Sequence, residues 1–252
     1  MSAKKSLFLA MPSYGPLTAG AARGFWCHPS REMDRFQFSC TNSLLAQGFN
    51  IGWAAALNEQ ARGRALDYYA MQHADVEPED WWADTLVQEM EAHDLDLLSA
   101  VIPIKDQRGR TSTAVAHPSG DPYQIARRLT LKEIYGLPET FTSEDVGGPL
   151  LANTGLWVCR WNRDWATKVH FTINDRIVFD VDRGIHVAQV EPEDWNFSRQ
   201  LHALGLRVGV TRKVAVAHRG DMAFLNTSPW GESFDTEYSD GPLVAPELQE
   251  AI

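Results

Sequence analysis

The 252-residue sequence predicts one α/β domain, built on a mixed, mainly parallel sheet flanked by helices. Three observations carry this. Short apolar runs that suit buried strands alternate with stretches of helical period along the chain. No domain-scale linker interrupts the series, which favours one domain over two. The composition, 44% hydrophobic and 22% charged, is that of an ordinary globular core and surface.

The elements follow in order. LFLAMPSY (7–14) reads as a buried first strand ending in a Pro-Ser-Tyr-Gly loop, and 15–35, rich in Gly, Pro and Ala, as irregular chain. Phe36 to Cys40 continues as a strand or turn. From Gly52 to Met71 the Ala, Leu, Arg and Tyr spacing predicts one or two helices; a strand over Tyr68–Gln72 requires the helix to end early. Asp80 to His93 is predicted helical, with Trp82, Leu86 and Met90 on one face, and DLDLLSAVIPIK (94–105) is predicted as a buried strand. Residues 106–150 are polar, with one predicted helix near Ala126–Tyr135. NTGLWVCRW (153–161) alternates like a strand, and Glu193–Leu204 is a helix stopped by Gly205. RVGVTRKVAVAH (207–218) supplies one bent strand or two short ones. The domain is drawn over 1–222, with 223–252 as a C-terminal lid or tail. Long loops in the second half place the substrate side there.

Composition narrows the function classes. No apolar run approaches the ~20 residues of a membrane span, and the basic start runs into Pro12 with no small-residue cleavage pattern. Cys27, Cys40 and Cys159 are odd in number and widely spaced, so they read as reduced thiols of a cytoplasmic protein. A net charge of −10 disfavours broad nucleic-acid binding.

The hexapeptide VEPEDW occurs at 76–81 and again at 190–195, with unrelated flanks, so it is not a duplicated domain. Proline at a first helical position, with acids in the first turn, complements the helix dipole, so both copies are predicted helix starts. That reading accounts for Glu77, Glu79, Asp80 and Glu191, but not for His73-Ala74-Asp75 just ahead of the first copy.

Taken in order, MPSYG, ALNEQARGRAL, HADVEPEDW, DLLSAVIPIKD, NTGLWVCR, PEDWNFSRQLHALG and VAVAHRG resemble the motif series of GT-A-fold (Rossmann-like) glycosyltransferases of the family-2 type, from about residue 7 to 220. The resemblance implies a nucleoside-diphosphate-sugar donor, with a UDP-sugar favoured. It places Pro12, Ser13 and Tyr14 at the base and ribose, and Asn58 and Arg62 at the base or diphosphate. Asp75 keeps the last acid of the family's Asp-x-Asp motif and His218 matches its second metal ligand. Together they imply a Mn²⁺ or Mg²⁺ ion on the leaving diphosphate. His73 stands where the family has its first acid, which makes the metal less secure and leaves the imidazole to bind a sugar hydroxyl or the ion. In an inverting enzyme Asp194 is the implied general base, and Glu193 binds acceptor or sugar hydroxyls; a helix start explains the same pair without catalysis. The resemblance leaves the acceptor open among a glycan, a lipid, a protein and a modified nucleobase. Trp81, Trp82, Trp157, Trp161 and Trp195 could stack on sugars but read more readily as packing. Two other readings stay open: a non-catalytic sugar- or nucleotide-binding relative, and a sugar-phosphate nucleotidyltransferase, for which LTAGAARG (17–24) is a faint Gly-rich signature.

Overall fold

The computed structural model describes residues 4–231. In chain order its elements are β1 (Ser6–Ser13), α1 (Ala19–Ala22), β2 (Asp34–Thr41), α2 (Leu45–Ala61), β3 (Tyr68–Gln72), β4 (Val76–Pro78), α3 (Trp82–Ala92), β5 (Leu97–Ala100), β6 (Arg110–Ala116), β7 (Ile125–Thr130), α4 (Leu131–Ile134), β8 (Thr140–Thr142), α5 (Ser143–Val146), β9 (Leu150–Leu151), β10 (Leu156–Arg160), α6 (Arg163–Ala166), β11 (Asn174–Asp180), β12 (Ile185–Glu191), α7 (Glu193–Ala203), β13 (Val208–Thr211), β14 (Val216–Arg219) and β15 (Ala223–Leu225). A wide π turn, Arg23–Cys27, follows α1. The central sheet has seven strands in the order β2-β1-β3-β10-β5-β13-β8. β2, β1, β3, β5 and β13 run one way, while β10 and β8 run against them. This is the mixed, mainly parallel Rossmann-like sheet that the alternation of elements predicts.

Period-two side chains split the core across the sheet. Leu7, Leu9 and Met11 point to one face, where Trp82, Leu86, Val87 and Met90 of α3 cover them. Phe8 and Ala10 point to the other, against Phe49 and Trp53 of α2 and Phe197 and Leu201 of α7. Removing each large side chain from water stabilises the fold by about 1.5–3 kcal/mol. The predicted apolar face of α3 is therefore the buried one. Three smaller sheets surround this frame: β15-β14-β4, β7-β6-β9 and the hairpin β11-β12.

Several sequence expectations change. The stretch 52–71 is not helical throughout: α2 starts earlier, at Leu45, and ends before Gly63, whose φ of +93° turns the chain out of the helix. The fully buried Tyr68–Gln72 then enters the sheet beside β1. Residues 126–135 are helical only in their second half, and 126–130 are strand. β7 pairs with β6, and helix begins only at Leu131, where Thr130 and Glu133 form a capping box.

The VEPEDW copies also part company. In the second, Pro192 caps α7, which starts at once with Glu193. In the first, Val76–Pro78 is strand, paired with β14, and the Glu79 amide donates to the Ala215 carbonyl at 3.0 Å. Trp81, at φ +66°, is the N-cap, and α3 starts only at Trp82. The first copy is thus held by its strand partner past the point where its sequence allows a helix. Ala223–Leu225 pairs with β14, and the side chain of buried Asn226 bonds to Val101, Val214 and Val216. The rest of the predicted lid or tail, from 232 onward, lies outside the described residues.

Candidate active site

A cleft of about 590 Å³ opens along the carboxyl-terminal edge of the parallel strands. Open α/β sheets hold ligands at this edge because the chain leaves each strand there as a loop, free to carry polar groups. Pro12, Ser13 and Tyr14 enter the cleft from the end of β1, Asn42 from β2, His73 to Asp75 from β3, and Ile102, Ile104 and Lys105 from β5. Asn153 to Gly155 arrive from the start of antiparallel β10, which lies at the same edge. Glu193 and Asp194 come from the first turn of α7, and His218 to Gly220 from the end of β14.

One group of side chains gathers on Asp75. Its Oδ2 receives the Lys105 ammonium at 2.5 Å and faces His218 Nε2 at 3.5 Å. His218 Nδ1 donates to the Pro103 carbonyl at 2.8 Å, which fixes the ring and turns Nε2 toward the carboxylate. Burial works against the Asp75 charge, but the hydrogen bonds from His218 and Lys105 outweigh it and hold the carboxyl well below the usual carboxylate range. His73 packs against Phe49, ring centres 4.7 Å apart, and its Nε2 is buried with no hydrogen-bond partner. Burial pushes its pKa down to about 4, against the pull of Asp75, so the imidazole is neutral near pH 7.

The second group is the acidic pair. Burial raises the Glu193 carboxyl above its ordinary value, and burial together with the Glu193 charge raises Asp194 well above its own. Asp194 keeps some exposure to the cleft, and its Oδ1 accepts the Trp195 amide at 2.8 Å. Trp195 is anchored by its indole N–H on the Ser112 carbonyl, 2.8 Å away, so the first turn of α7 has a fixed position.

Eight of the ten residues singled out in the sequence line this cleft: Pro12, Ser13, Tyr14, His73, Asp75, Glu193, Asp194 and His218. Asn58 and Arg62 do not. They sit at the far end of α2, where Arg62 is exposed and pairs with Glu59 at 2.7 Å. Their helical spacing is real, but the helix approaches the cleft with its opposite end, through Leu45, Gly48 and Phe49. Trp82, Trp157, Trp161 and Trp195 are buried packing, and none of the five tryptophans considered lines the cleft. Lys105 was not singled out. Its signal in the sequence was a cation closing the apolar run of 94–105.

A divalent ion fits these residues poorly. Asp75 and His218 give two donors, and no cluster of three His, Cys, Asp or Glu among the described residues could hold a metal. The Asp75 oxygen that faces His218 already carries the Lys105 ammonium. An ion at the usual ~2.1 Å from that oxygen would lie within ~5 Å of the ammonium, a repulsion of several kcal/mol even at an effective dielectric of ~20.

No family model matches the sequence, and no curated protein matches it. Solved structures do resemble the fold. A197 from STIV aligns over 91% of this chain and 95% of its own, at 13% identity and a TM-score of 0.52. A protein assigned as a UDP-N-acetylglucosamine pyrophosphorylase, from Entamoeba histolytica, aligns over 82% of this chain and 73% of its own (10% identity, TM-score 0.41). A nucleoside-diphosphate-sugar pyrophosphorylase from Vibrio cholerae aligns over 82% and 93% (9% identity, TM-score 0.38). At 13% identity the likeness to A197 is one of fold alone. No helix among the described residues is long and apolar enough to cross a membrane. All three cysteines are free.

Proposed function

We propose that the cleft binds a nucleoside-diphosphate sugar and that the chain is a transferase moving the sugar to an acceptor hydroxyl. One observation carries the reading: β1, β3, β5, β14 and α7 bring a phosphate-compatible cation and an enclosed carboxylate pair into one cleft at the carboxyl edge of the sheet. The pair favours a hydroxyl acceptor. A phosphate nucleophile is already anionic and needs no base, whereas a hydroxyl must lose a proton as it attacks. Asp194, with a raised pKa, is a stronger base than an exposed aspartate. In the proposed step the acceptor oxygen bonds to the anomeric carbon while its proton passes to Asp194. The bond from that carbon to the diphosphate oxygen breaks, and the diphosphate leaves with the electron pair. Glu193 orients the acceptor, Tyr14 and Ser13 receive the nucleoside, and His73 Nε2 receives a sugar or ribose hydroxyl.

Nucleotidyl transfer is the second reading. Lys105 favours it, because an ammonium at the sheet edge can equally hold an incoming sugar phosphate. The products separate the two. Glycosyl transfer, or hydrolysis with water as acceptor, releases nucleoside diphosphate from a panel of UDP- and GDP-sugars. Nucleotidyl transfer releases pyrophosphate from nucleoside triphosphate and sugar 1-phosphate. The first reading predicts diphosphate release alone. Pyrophosphate release would replace it with the second, and binding without either product would make the protein a sugar-nucleotide-binding relative.

A further inference from the structure

We propose that Lys105 is the resident cation of this cleft, and that the diphosphate of the ligand is held by its ammonium rather than by a divalent metal. The inference rests on the nucleotide-sugar reading for the identity of the ligand. The geometry behind it is independent of that reading.

Lys105 is placed by more than its charge. It follows β5 at the carboxyl edge of the sheet, between Ile104, whose amide donates to the Arg110 carbonyl, and Asp106, whose amide donates to the Ile104 carbonyl. Its stem lies across Gly220: a β-carbon there would come within 3.2 Å of Lys105 Cδ and within 3.6 Å of its Cβ and Cγ. The Arg219 amide donates to the Asp75 carbonyl at 2.8 Å, which ties the strand under that stem to the residue the ammonium meets. The side chain is about one-third exposed, so the ammonium borders the cleft without being sealed from a ligand. Asp75 supplies one negative charge, which the ammonium meets at 2.5 Å. A leaving diphosphate gathers negative charge as the sugar departs, and a fixed cation at that point stabilises it without reorganisation. Arg219 also lines the cleft, but its guanidinium is engaged by Glu77, 2.7 Å away. Among the described residues the ion partner of Lys105 is Asp75, a contact that a diphosphate can share or replace.

The same geometry states what Lys105 prevents. Asp75 Oδ2, which faces His218 Nε2 at 3.5 Å, is also the oxygen that carries the ammonium, so a cation shared by Asp75 and His218 would have to displace it. Removing the charge while keeping the stem should therefore uncover a metal site that the wild type lacks.

The test uses Mn²⁺ alone, followed by electron paramagnetic resonance, and UDP or GDP binding by calorimetry in EDTA or Mn²⁺. The proteins are the full chain and its Lys105→Met, Lys105→Arg, Asp75→Asn and Asp75→Asn/Lys105→Met variants. Thermal melts confirm that each folds. The expected wild type binds nucleoside diphosphate equally well in EDTA and in Mn²⁺, and takes up Mn²⁺ at best in the millimolar range. Lys105→Met should weaken diphosphate binding at least 10-fold in EDTA and bind Mn²⁺ at least 10-fold more tightly than wild type. Asp75→Asn should abolish that new site, and Lys105→Arg should restore most of the diphosphate affinity. Micromolar Mn²⁺ binding by the wild type, lost in Asp75→Asn, would overturn the proposal, as would Mn²⁺-dependent nucleotide binding indifferent to Lys105→Met. A wild type that binds no nucleoside diphosphate under any condition refutes the nucleotide reading and the diphosphate role of Lys105 together. The Mn²⁺ arm still decides, in that case, whether the lysine excludes a metal.

Discussion

Asp194 and Asp80 hold the same place in the two VEPEDW copies, and their surroundings set them apart. Asp80 is paired at the surface with Arg23, 2.5 Å away, whereas Asp194 lines the cleft beside Glu193 with its carboxyl pushed up by burial. Asp194→Asn should cut transfer by ~10²–10⁴-fold, the usual effect of removing a general base, with nucleotide binding retained. Asp80→Asn should leave turnover nearly intact, because an exposed ion pair of this kind contributes only ~0–1 kcal/mol of stability. Equal, mild losses in both would remove Asp194 from the chemistry. The stability effects carry a sign that helix capping alone does not predict. A carboxyl whose folded pKa is raised contributes stability that is complete below its unfolded pKa, near ~4, and is lost as pH rises through the folded value. Asp194→Asn, which keeps the oxygen that accepts the Trp195 amide, should gain stability relative to wild type as pH climbs above ~4, and show no gain below it. Melting curves across pH check this; a loss that grows with pH would mean the charge is welcome in the cleft. The acids and His218 were legible in the sequence through the resemblance of the ordered motif series, since alone each reads as a helix start or a strand-end residue. The partner that changes their meaning, Lys105, is joined to Asp75 only by the fold.

At the scale of elements, periodicity located strands and helices well where burial is one-sided and poorly where neighbours decide. α3 follows its apolar stripe, and Trp82, Leu86 and Met90 are fully buried. The first VEPEDW satisfies the rules for a helix start, yet the ladder with β14 claims its first three residues. The β11-β12 hairpin escaped notice because it buries no full face, with Ile177, Phe179 and Ile185 exposed, and the β7-β6-β9 sheet because β9 joins it from a distant stretch of chain. α2 shows the same limit at the site. Its spacing puts Asn58 and Arg62 within reach of one another, but not which end of the helix meets the cleft. Asn58→Ala and Arg62→Ala should therefore leave nucleoside-diphosphate affinity within about twofold of wild type by calorimetry. Arg62 should cost little stability, since its pair with Glu59 is exposed. A tenfold loss of affinity in either would return the end of α2 to the donor site.

For the whole molecule, the alternation of strands and helices was enough to predict a mainly parallel sheet, and the sheet in turn fixes where a ligand can sit. Loops from β1, β3 and β5 leave at one edge, and the single antiparallel strand between β3 and β5 starts there, so residues from 12 to 220 meet in one cleft. What the chain does not state locally is the charge balance of that cleft, in which a lysine occupies the place that the motif series assigns to an ion. The most direct measurement of the account is a crystal structure of the protein with UDP or GDP bound. The account predicts the diphosphate between Lys105 and His218, the nucleoside against Ser13 and Tyr14, and open space between the β-phosphate and Asp194 for a sugar and its acceptor. Nucleotide bound away from the carboxyl edge of the sheet, for example in the basic concavity formed by Lys4, Arg31 and Arg35, would contradict it.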